Sequence, residues 1–120
     1  MSVSPSFRTF VIEQLSRVRK DLRSKAMFGG VGLYAGDFFF ALIDDDLVYF
    51  KVDDQNRTDF EARNMGPFMP GGPGGEVMQY YQVPEDILED PDELQSWMER
   101  SIDVARRKRS KKAIRKRETS

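Results

Sequence analysis

The sequence contains no cysteine and no histidine among its 120 residues. Without cysteine the chain cannot form disulfides, thiolate zinc sites, iron–sulfur clusters or thiol nucleophiles. Without histidine it lacks the imidazole that Ser-His-Asp triads and most acid–base catalysts use. Carboxylates, lysine, tyrosine, serine and threonine are the side chains left for chemistry. We therefore predict that the protein is not an enzyme, and we expect neither a bound cofactor nor a metal ion.

Long apolar runs are also missing. No window of the sequence approaches the roughly 18 apolar residues that a membrane-spanning helix needs. The first residues, MSVSPSFRTFVIEQL, do not show the basic stretch and apolar core of a signal peptide. We expect a cytoplasmic protein without a membrane partner. The apolar content of 39% is enough for one domain with a hydrophobic core.

Charge is distributed unevenly along the chain. Residues 1–105 carry 19 acidic and 10 basic side chains, whereas residues 106–120 carry nine basic side chains and one acidic side chain. This asymmetry predicts an acidic domain over residues 1–105 and a basic C-terminal tail over residues 106–120. The nine basic residues of the tail are Arg106, Arg107, Lys108, Arg109, Lys111, Lys112, Arg115, Lys116 and Arg117.

The basic tail fits more than one role. It can bind nucleic-acid phosphates with little sequence preference, because binding releases counterions. It is equally typical of a helix C-terminus favoured by the helix dipole, or of a disordered solubilising segment. The tail has no aromatic residue to stack on bases, so binding by the tail alone is expected to be weak and non-specific. The acidic domain should also compete for the tail.

The first half of the chain predicts a helix followed by an antiparallel meander. Ser4 and Pro5 are typical of a helix N-terminus, and apolar residues then recur at helical spacing, which predicts a helix over residues 5–19. Residues 22–28 are already strand or still part of that helix. The turn-type residues 35–37 and 44–46 separate three predicted strands at 31–35, 37–43 and 47–52.

The predicted strand FFFALI is apolar at every position. Strict alternation divides its six residues between the two faces of the sheet. One face would carry Phe38, Phe40 and Leu42, and the other Phe39, Ala41 and Ile43. A strand of this kind is covered on both sides, by helices or by another subunit.

The second half of the chain predicts helices around one further strand. Asp53 or Asp54 is expected to cap a short helix that Gly66-Pro67 ends, and a Pro- and Gly-rich loop follows. A strand over 76–83 and a helical turn after Pro84 precede the last helix. The order αβββαβα is typical of an α+β fold, with a mainly antiparallel sheet packed by helices.

The last helix has a clear start signal. Asp90, Pro91 and Glu93 fit the N-cap, the first helical residue and the partner that closes a capping box. An apolar stripe follows and ends at Ala105. Trp97 lies in this stripe, which favours a core or dimer contact over a ligand stack.

The stretch MFGGVGLY at residues 27–34 contains three glycines and could suggest a phosphate site. A P-loop needs a Lys-Ser/Thr pair after its glycines, and a dinucleotide-binding turn opens a helix. Here Leu33 and Tyr34 follow, within a predicted strand. We therefore interpret Gly29, Gly30 and Gly32 as positions that need positive φ or close backbone approach. This interpretation predicts that Gly30→Val lowers stability.

Two other clusters favour structural roles. Residues 44–46 are three aspartates, but they lack the glycine and glutamate that complete an EF-hand loop, so a solvated hairpin turn is favoured over a cation site. Tyr80 and Tyr81 are neighbours on a predicted strand and should face opposite sides of the sheet. One is expected in the core, and the other either packs on the sheet or faces a partner.

Long stretches of the sequence resemble a known family. KAMFGGVGLYAGDFFFALIDDDLVYFKVDDQNRTDFEARNMGPF and MQYYQVPEDILEDPDELQSWMERSIDVA are similar to the TfoX (Sxy) N-terminal domain, over roughly residues 8–105. The most specific part is MFGGVGLY, followed at a fixed distance by LVYFKVDD and then by YYQVP. The motif residues are Met27, Phe28, Gly29, Gly30, Gly32 and Tyr34.

The resemblance implies a compact α+β domain like that of type III secretion chaperones. Full-length relatives are competence regulators that promote transcription of DNA-uptake genes together with the cyclic-AMP receptor protein, and they are not enzymes. They also carry a second, C-terminal domain, where this chain has only its basic tail. The chain thus resembles a single-domain member of the family.

We predict from these observations a regulatory or adaptor domain that acts through protein–protein contacts. The doubly apolar strand and the chaperone-like fold favour a homodimer, with a further protein partner such as a transcription regulator. The alternative is a nucleic-acid-associated protein that uses the basic tail as an electrostatic arm. An enzyme is the third and least favoured hypothesis, because the sequence shows no recognisable phosphate, metal or acid–base motif.

Overall fold

The computed structural model describes residues 3–27, 29–72, 74–75 and 78–118, with side chains up to residue 110. Phe28 of the glycine motif lies outside the described residues. The helices and strands are α1 (Pro5–Val18), β1 (Leu22–Met27), β2 (Gly30–Ala35), β3 (Phe38–Asp44), β4 (Leu47–Lys51), α2 (Arg57–Glu61), β5 (Tyr80–Gln82), α3 (Glu85–Glu89) and α4 (Pro91–Glu118).

The strands form one five-stranded antiparallel sheet in the order β1-β2-β3-β4-β5. Two-residue turns join its central strands. Gly36, with φ of 58°, lies in the turn between β2 and β3, and Asp45 and Asp46, with φ of 51° and 57°, connect β3 to β4. Positive φ at both central residues, as at Asp45 and Asp46, gives a turn a twist that matches the twist of the paired strands. The predicted α+β fold and its helix–strand order are thus confirmed, with β1 as a strand and α3 as the helical turn after Pro84.

One face of the sheet, the inner face, packs against the helices. Cross-strand neighbours Leu33, Ala41 and Phe50 are fully buried on it. They belong to one core cluster with Leu15 of α1 and Ile102 of α4. At about 25 cal/mol per Å² of apolar surface removed from water, this cluster is the main source of the domain's stability.

Strand β3 breaks strict alternation. The register shifts opposite Leu33 and Tyr34, so that Ala41 pairs with Leu33 whereas Phe39 pairs with Tyr34. Phe40 is the extra residue of this bulge, and it is fully buried against Phe50. The prediction that Phe40 shares a face with Leu42 is therefore wrong, because a bulge turns two successive side chains towards the same side.

The ends of α1 and α4 follow the predicted caps. The Ser4 hydroxyl accepts a hydrogen bond from the backbone N–H of Phe7, with Pro5 at the first helical position. The Asp90 carboxylate accepts from the N–H of Asp92 and Glu93. The predicted capping box does not close, because the N–H of Asp90 donates to the carbonyl of Ile87.

Two other predicted elements are shorter than expected. Helix α2 begins after Asn56, not after Asp53 or Asp54, and Asn64 with φ of 58° ends it before Gly66. The N–H of Met65 returns to the carbonyl of Phe60, which is the Schellman pattern. The strand predicted over 76–83 is reduced to β5 at 80–82, and residues 76 and 77 lie outside the described part of the chain.

None of the helices in the described part of the chain combines the length and the apolar character that a transmembrane segment requires.

Candidate interaction surfaces

The glycine motif forms the turn between β1 and β2. Gly29 has φ of 82°, a conformation that glycine adopts without strain. A Cβ on Gly30 would lie 2.6 Å from the carbonyl oxygen of Ile43, and a Cβ on Gly32 would lie 2.5 Å from Cε of Met27. The geometry therefore provides a backbone reason for two of the glycines, namely positive φ at Gly29 and close approach of the Ile43 backbone at Gly30, whereas Gly32 leaves room for the side chains of Met27 and Phe39.

The face of the sheet opposite the inner face carries a set of half-buried apolar and aromatic side chains. We call this set the outer sheet face, and it consists of Met27, Tyr34, Phe39, Leu42, Tyr49 and Phe68. None of the six belongs to the buried core cluster. The described helices contribute their buried side chains to the inner face, so the outer sheet face is the apolar surface that this fold leaves open to solvent.

Aromatic rings organise the outer sheet face. Tyr34 stacks on Phe39 with ring centroids 5.1 Å apart, and the rings of Tyr49 and Phe68 lie 4.9 Å apart. Phe68 comes from the loop before β5, and its backbone N–H donates to the carbonyl of Tyr80. A shallow apolar pocket of about 100 Å³ lies between Leu42, Met27 and Phe68. Rings that fix one another in this way present a contact area that is ordered before any partner binds.

The aromatic residues singled out in the sequence occupy different surroundings. Tyr80 and Tyr81 face opposite sides of the sheet, as predicted. Tyr80 is 7% exposed and lies 5.8 Å from the ring of Phe39, whereas Tyr81 is half-buried beside Phe60 on the inner side. Burial raises the pKa of Tyr80 well above its usual range. Trp97 is a core residue that meets Phe60 edge to face at 4.7 Å.

The basic tail continues the last helix. Helix α4 runs from Pro91 to Glu118 across Ala105, so the residues of the tail up to Glu118 have helical backbone. Ala105 is the last buried apolar residue among the described side chains. The side chains of Lys111, Lys112, Arg115, Lys116 and Arg117 lie outside the described residues. The division of the chain at 105/106 stays a prediction.

The first basic residues of the tail contact the acidic domain. Arg107 donates three hydrogen bonds to the two carboxylate oxygens of Asp53, with nitrogen–oxygen distances of 2.9, 3.0 and 3.1 Å. The guanidinium of Arg109 lies 4.3 Å from the ring centre of Phe38 and donates to the carbonyl of Asp37. Arg106 also lies over Phe38, at 5.4 Å. These contacts fix the start of the basic segment against the domain, whereas Lys108 is exposed and has no ion-pair partner among the described residues.

Two of these contacts were not predictable as sites. The sequence predicts that Asp53 or Asp54 caps a short helix, yet the carboxylate of Asp53 pairs with a residue 54 positions later. The sequence predicts that both faces of the strand containing Phe38 are covered by helices or another subunit. In the structure Phe38 is half-buried beneath two arginines. Bidentate Arg–carboxylate pairing and cation–π stacking depend on distances in space, for which the sequence carries no local signal.

The aspartates do not form a cation site in the described residues. Asp45 and Asp46 form the tip of the β3–β4 hairpin, and the Asp46 carboxylate accepts a hydrogen bond from the N–H of Ser4. Within the described part of the chain there is no group of three or more acidic residues that could hold a metal ion. The interpretation of residues 44–46 as a hairpin turn agrees with this geometry.

Comparison with known proteins places the chain in a family. No curated protein matches the sequence. The family model of the TfoX N-terminal domain matches residues 13–105, which is most of the 120-residue chain. The match includes the glycine turn, the whole sheet and the part of α4 that packs in the core. The chain belongs to the TfoX N-terminal domain family.

Proposed function

We propose that this protein is a non-enzymatic regulatory or adaptor domain that acts by binding other proteins, with the outer sheet face as its contact surface. The observation that carries the proposal is the ordered, half-buried aromatic set around Leu42, which the described helices leave uncovered. An apolar patch on a folded domain is typical of a protein interface. Tyrosine and phenylalanine are the residue types that interface centres favour.

The occupant that we propose for this face is a second copy of the chain. Lys25 lies on β1, two strands or about 10 Å from Leu42, and Asp44 lies two residues along β3, or about 7 Å away. A two-fold axis can lie in the plane of the face, pass through Leu42 and bisect the directions towards Lys25 and Asp44. Rotation about this axis would place Lys25 of one copy opposite Asp44 of the other. Such reciprocal pairing of unlike charges is what an isologous dimer contact requires.

The family supplies a candidate for the further partner. Relatives with the full domain set act on transcription together with the cyclic-AMP receptor protein, and we propose a transcription regulator of this kind as the partner of the dimer. The acidic residues of the domain and the basic segment of α4 give it surfaces of both signs. Such surfaces steer association and select partners.

Self-association is tested by light scattering coupled to size-exclusion chromatography, over a range of protein concentrations. We expect the wild type to elute as a dimer and the Leu42→Asp variant as a monomer, because a carboxylate at the centre of an apolar interface loses its hydration. Phe10→Asp is the matched control. Phe10 is the exposed large apolar residue on α1, on the helix side of the sheet, so this variant should still dimerise.

A wild-type protein that stays monomeric at the highest concentration contradicts the dimer. The same is true of a dimer that survives Leu42→Asp and is lost in Phe10→Asp. The regulatory partner is tested separately, by titrating the purified cyclic-AMP receptor protein of the same organism into wild type and Leu42→Asp. Equal binding by both would remove the outer sheet face from that contact.

A second candidate function is non-specific association with nucleic acid. The observation that favours it is the continuation of α4 to Glu118, which carries a segment with nine basic residues beyond the packed core. We expect binding to a mixed-sequence DNA duplex that weakens steeply with salt, because each neutralised phosphate adds roughly −0.9 to the slope of log K against log salt.

Matched charge-neutralised variants test this second function. Replacing Lys111, Lys112, Arg115 and Lys116 with glutamine should reduce both the affinity and the salt slope. The control replaces four basic residues of the domain, Arg8, Arg17, Lys20 and Lys25, with the same loss of charge. Equal effects of the two variants, or no binding by the wild type at low salt, would contradict the electrostatic arm.

A further inference from the structure

A pocket of about 490 Å³ opens at the end of the sheet where β4 and β5 meet α4. Its floor is apolar and includes Val52, Met78, Tyr80 and Val104. Its rim is polar and is formed by the loop before α2 and by the basic segment of α4. The volume is within the range of small-molecule sites, which is roughly 300–1,000 Å³.

Lys51 is a partly buried cation in the lining of this pocket. Its ammonium nitrogen lies 5.5 Å from the ring centre of Tyr80 and 5.9 Å from that of Phe39. Lys51 is half-buried and makes no ion pair with a described residue. Burial and the nearby charge of Lys108 lower its pKa from 10.5 to about 8. A buried cation without a carboxylate partner is costly, and an anionic ligand would remove that cost.

The remaining charges of the pocket are partly matched. Arg107 binds Asp53, and Arg57 binds Asp54 at 2.7 Å. The charges cancel within each of these two pairs. The described cations that remain are the ammonium groups of Lys51 and Lys108. Among the described residues of its lining there are four cationic and two anionic side chains, which is an excess of two positive charges.

The walls of the pocket are held in place by a buried asparagine. Asn56 is 2% exposed, accepts a hydrogen bond from the N–H of Asp53 and donates to the carbonyl of Lys51. Its amide also reaches the hydroxyl of Ser101 on α4, at 3.4 Å. These bonds tie β4, the rim loop and α4 together, so the lysines are positioned before a ligand arrives.

We propose that this pocket binds an organic phosphate monoester, with the phosphate at Lys51 and Lys108 and the organic part on the floor formed by Val52, Val104 and Tyr80. A phosphate monoester carries about two negative charges at neutral pH, which matches the excess charge of the pocket. Lysine binds phosphate as a compact point charge, so the two ammonium groups suit it without the planar geometry that arginine demands.

The proposal is tested by isothermal titration of the full-length protein with phenyl phosphate. Inorganic phosphate and benzoate are titrated in parallel. They separate the contribution of the dianion from that of the apolar part. We expect phenyl phosphate to bind more tightly than either, since only phenyl phosphate fills both halves of the pocket. Binding of inorganic phosphate equal to that of phenyl phosphate would contradict an organic ligand.

Two variants locate the binding. Lys51→Met keeps a long unbranched side chain and removes its charge, and should weaken phenyl phosphate binding at least about tenfold, as loss of a charge-assisted contact does. Lys20→Met removes the charge of an exposed lysine between α1 and β1 and should leave the affinity unchanged. Equal losses in both variants would indicate general electrostatic attraction and would overturn the site.

Lys108→Met tests the site at an exposed position, where the substitution does not disturb the packing of the domain. It should also weaken binding, because Lys108 is exposed and its charge is one of the two in excess. In amide NMR spectra, shifts caused by phenyl phosphate should centre on β4, β5 and Val104. No binding, or shifts elsewhere, would contradict the proposal. Titration reports on this pocket and the elution position reports on the outer sheet face, so failure of one and failure of the other are distinguishable.

Discussion

The two faces of the sheet use the same kinds of residue for different purposes. Phe40 and Phe50 on the inner face are 0% exposed and packed under the helices. Phe39 and Leu42, on the same strand as Phe40, are half-buried on the outer sheet face. Apolar side chains therefore lie on both faces, but the described helices cover only the inner face. The inner face accounts for stability, and the outer sheet face is the surface with apolar area left for a partner.

The largest expected difference between the faces comes from two neighbouring phenylalanines. Phe40→Ala should lower the free energy of unfolding by about 3–5 kcal/mol, because it removes a fully buried ring. Phe39→Ala should cost about 1–2 kcal/mol, since Phe39 is only partly buried. Denaturant unfolding of both variants, at concentrations where the protein is monomeric, measures the contrast. Equal losses would show that the outer sheet face is also core.

The glycine turn tests how closely the strands approach at the border of the outer sheet face. Gly30→Val should lower the free energy of unfolding by about 1–3 kcal/mol, because its Cβ would meet the carbonyl oxygen of Ile43 at 2.6 Å. Gly71→Val is the control, since its Cβ would point into open space. That variant should stay within about 0.5 kcal/mol of the wild type. A Gly30→Val protein as stable as the control would overturn the structural role of the motif.

Lys51 lies at the end of the sheet and gives a pH-dependent test. Its folded pKa of about 8 is lower than the ordinary 10.5. Between these two values the unfolded chain holds a proton that the folded chain has lost, so the Lys51 contribution to stability rises with pH. Below about pH 8 the charged amine is destabilising. Among the described residues, the charged and titratable groups that line the pocket with it are Lys108, Arg107, Asp53, Asp54, Arg57 and Tyr80.

The measurement compares wild type with Lys51→Met from pH 6 to pH 10 by denaturant unfolding. Lys51→Met should be the more stable protein near neutral pH, and its advantage should shrink as the pH rises above about 8. Other titrating groups cancel in the difference. A constant difference over the whole range would mean that the Lys51 pKa is not lowered.

The smallest expected effect concerns the helix cover of the inner face. Arg107→Gln removes the bidentate contact with Asp53, in which both side chains are about one-third exposed. A partly exposed pair of this kind contributes up to about 1 kcal/mol and is weakened by salt. Lys108→Gln, without an ion-pair partner in the described residues, should change stability by less. A loss of stability that is the same for both variants, or that is unaffected by salt, would contradict a stabilising ion pair between Arg107 and Asp53.

Much of the fold could be predicted from local signals. Ser4 and Asp90 fix helix starts through side chains that cap their own backbones, and Gly36 and Asp45 mark turns by tolerating positive φ. Such signals need only a few neighbouring residues. The same locality explains why the glycine motif could be interpreted as backbone geometry from its sequence alone.

Features that depend on distant residues could not be predicted in the same way. The bulge at Phe40 depends on how β2 and β3 fit together, and strict alternation gave the wrong face for Leu42. The Asn56 contacts to β4 and α4, and the pairing of Arg107 with Asp53, join segments far apart in sequence. The pocket at Lys51 depends on the Asn56 contacts and on the pairing of Arg107 with Asp53, so it could be found only from the folded chain.

The most direct test of the outer sheet face is methyl NMR over a concentration series. Samples from about 10 µM to about 1 mM span the range of weak and moderate dimer affinities. We predict concentration-dependent shifts for the methyl groups of Leu42 and Met27, with those of Leu33, Met98 and Ile102 on the inner side unchanged. Invariant Leu42 and Met27 resonances, or shifts confined to other surfaces, would contradict the claim that this face binds a second copy.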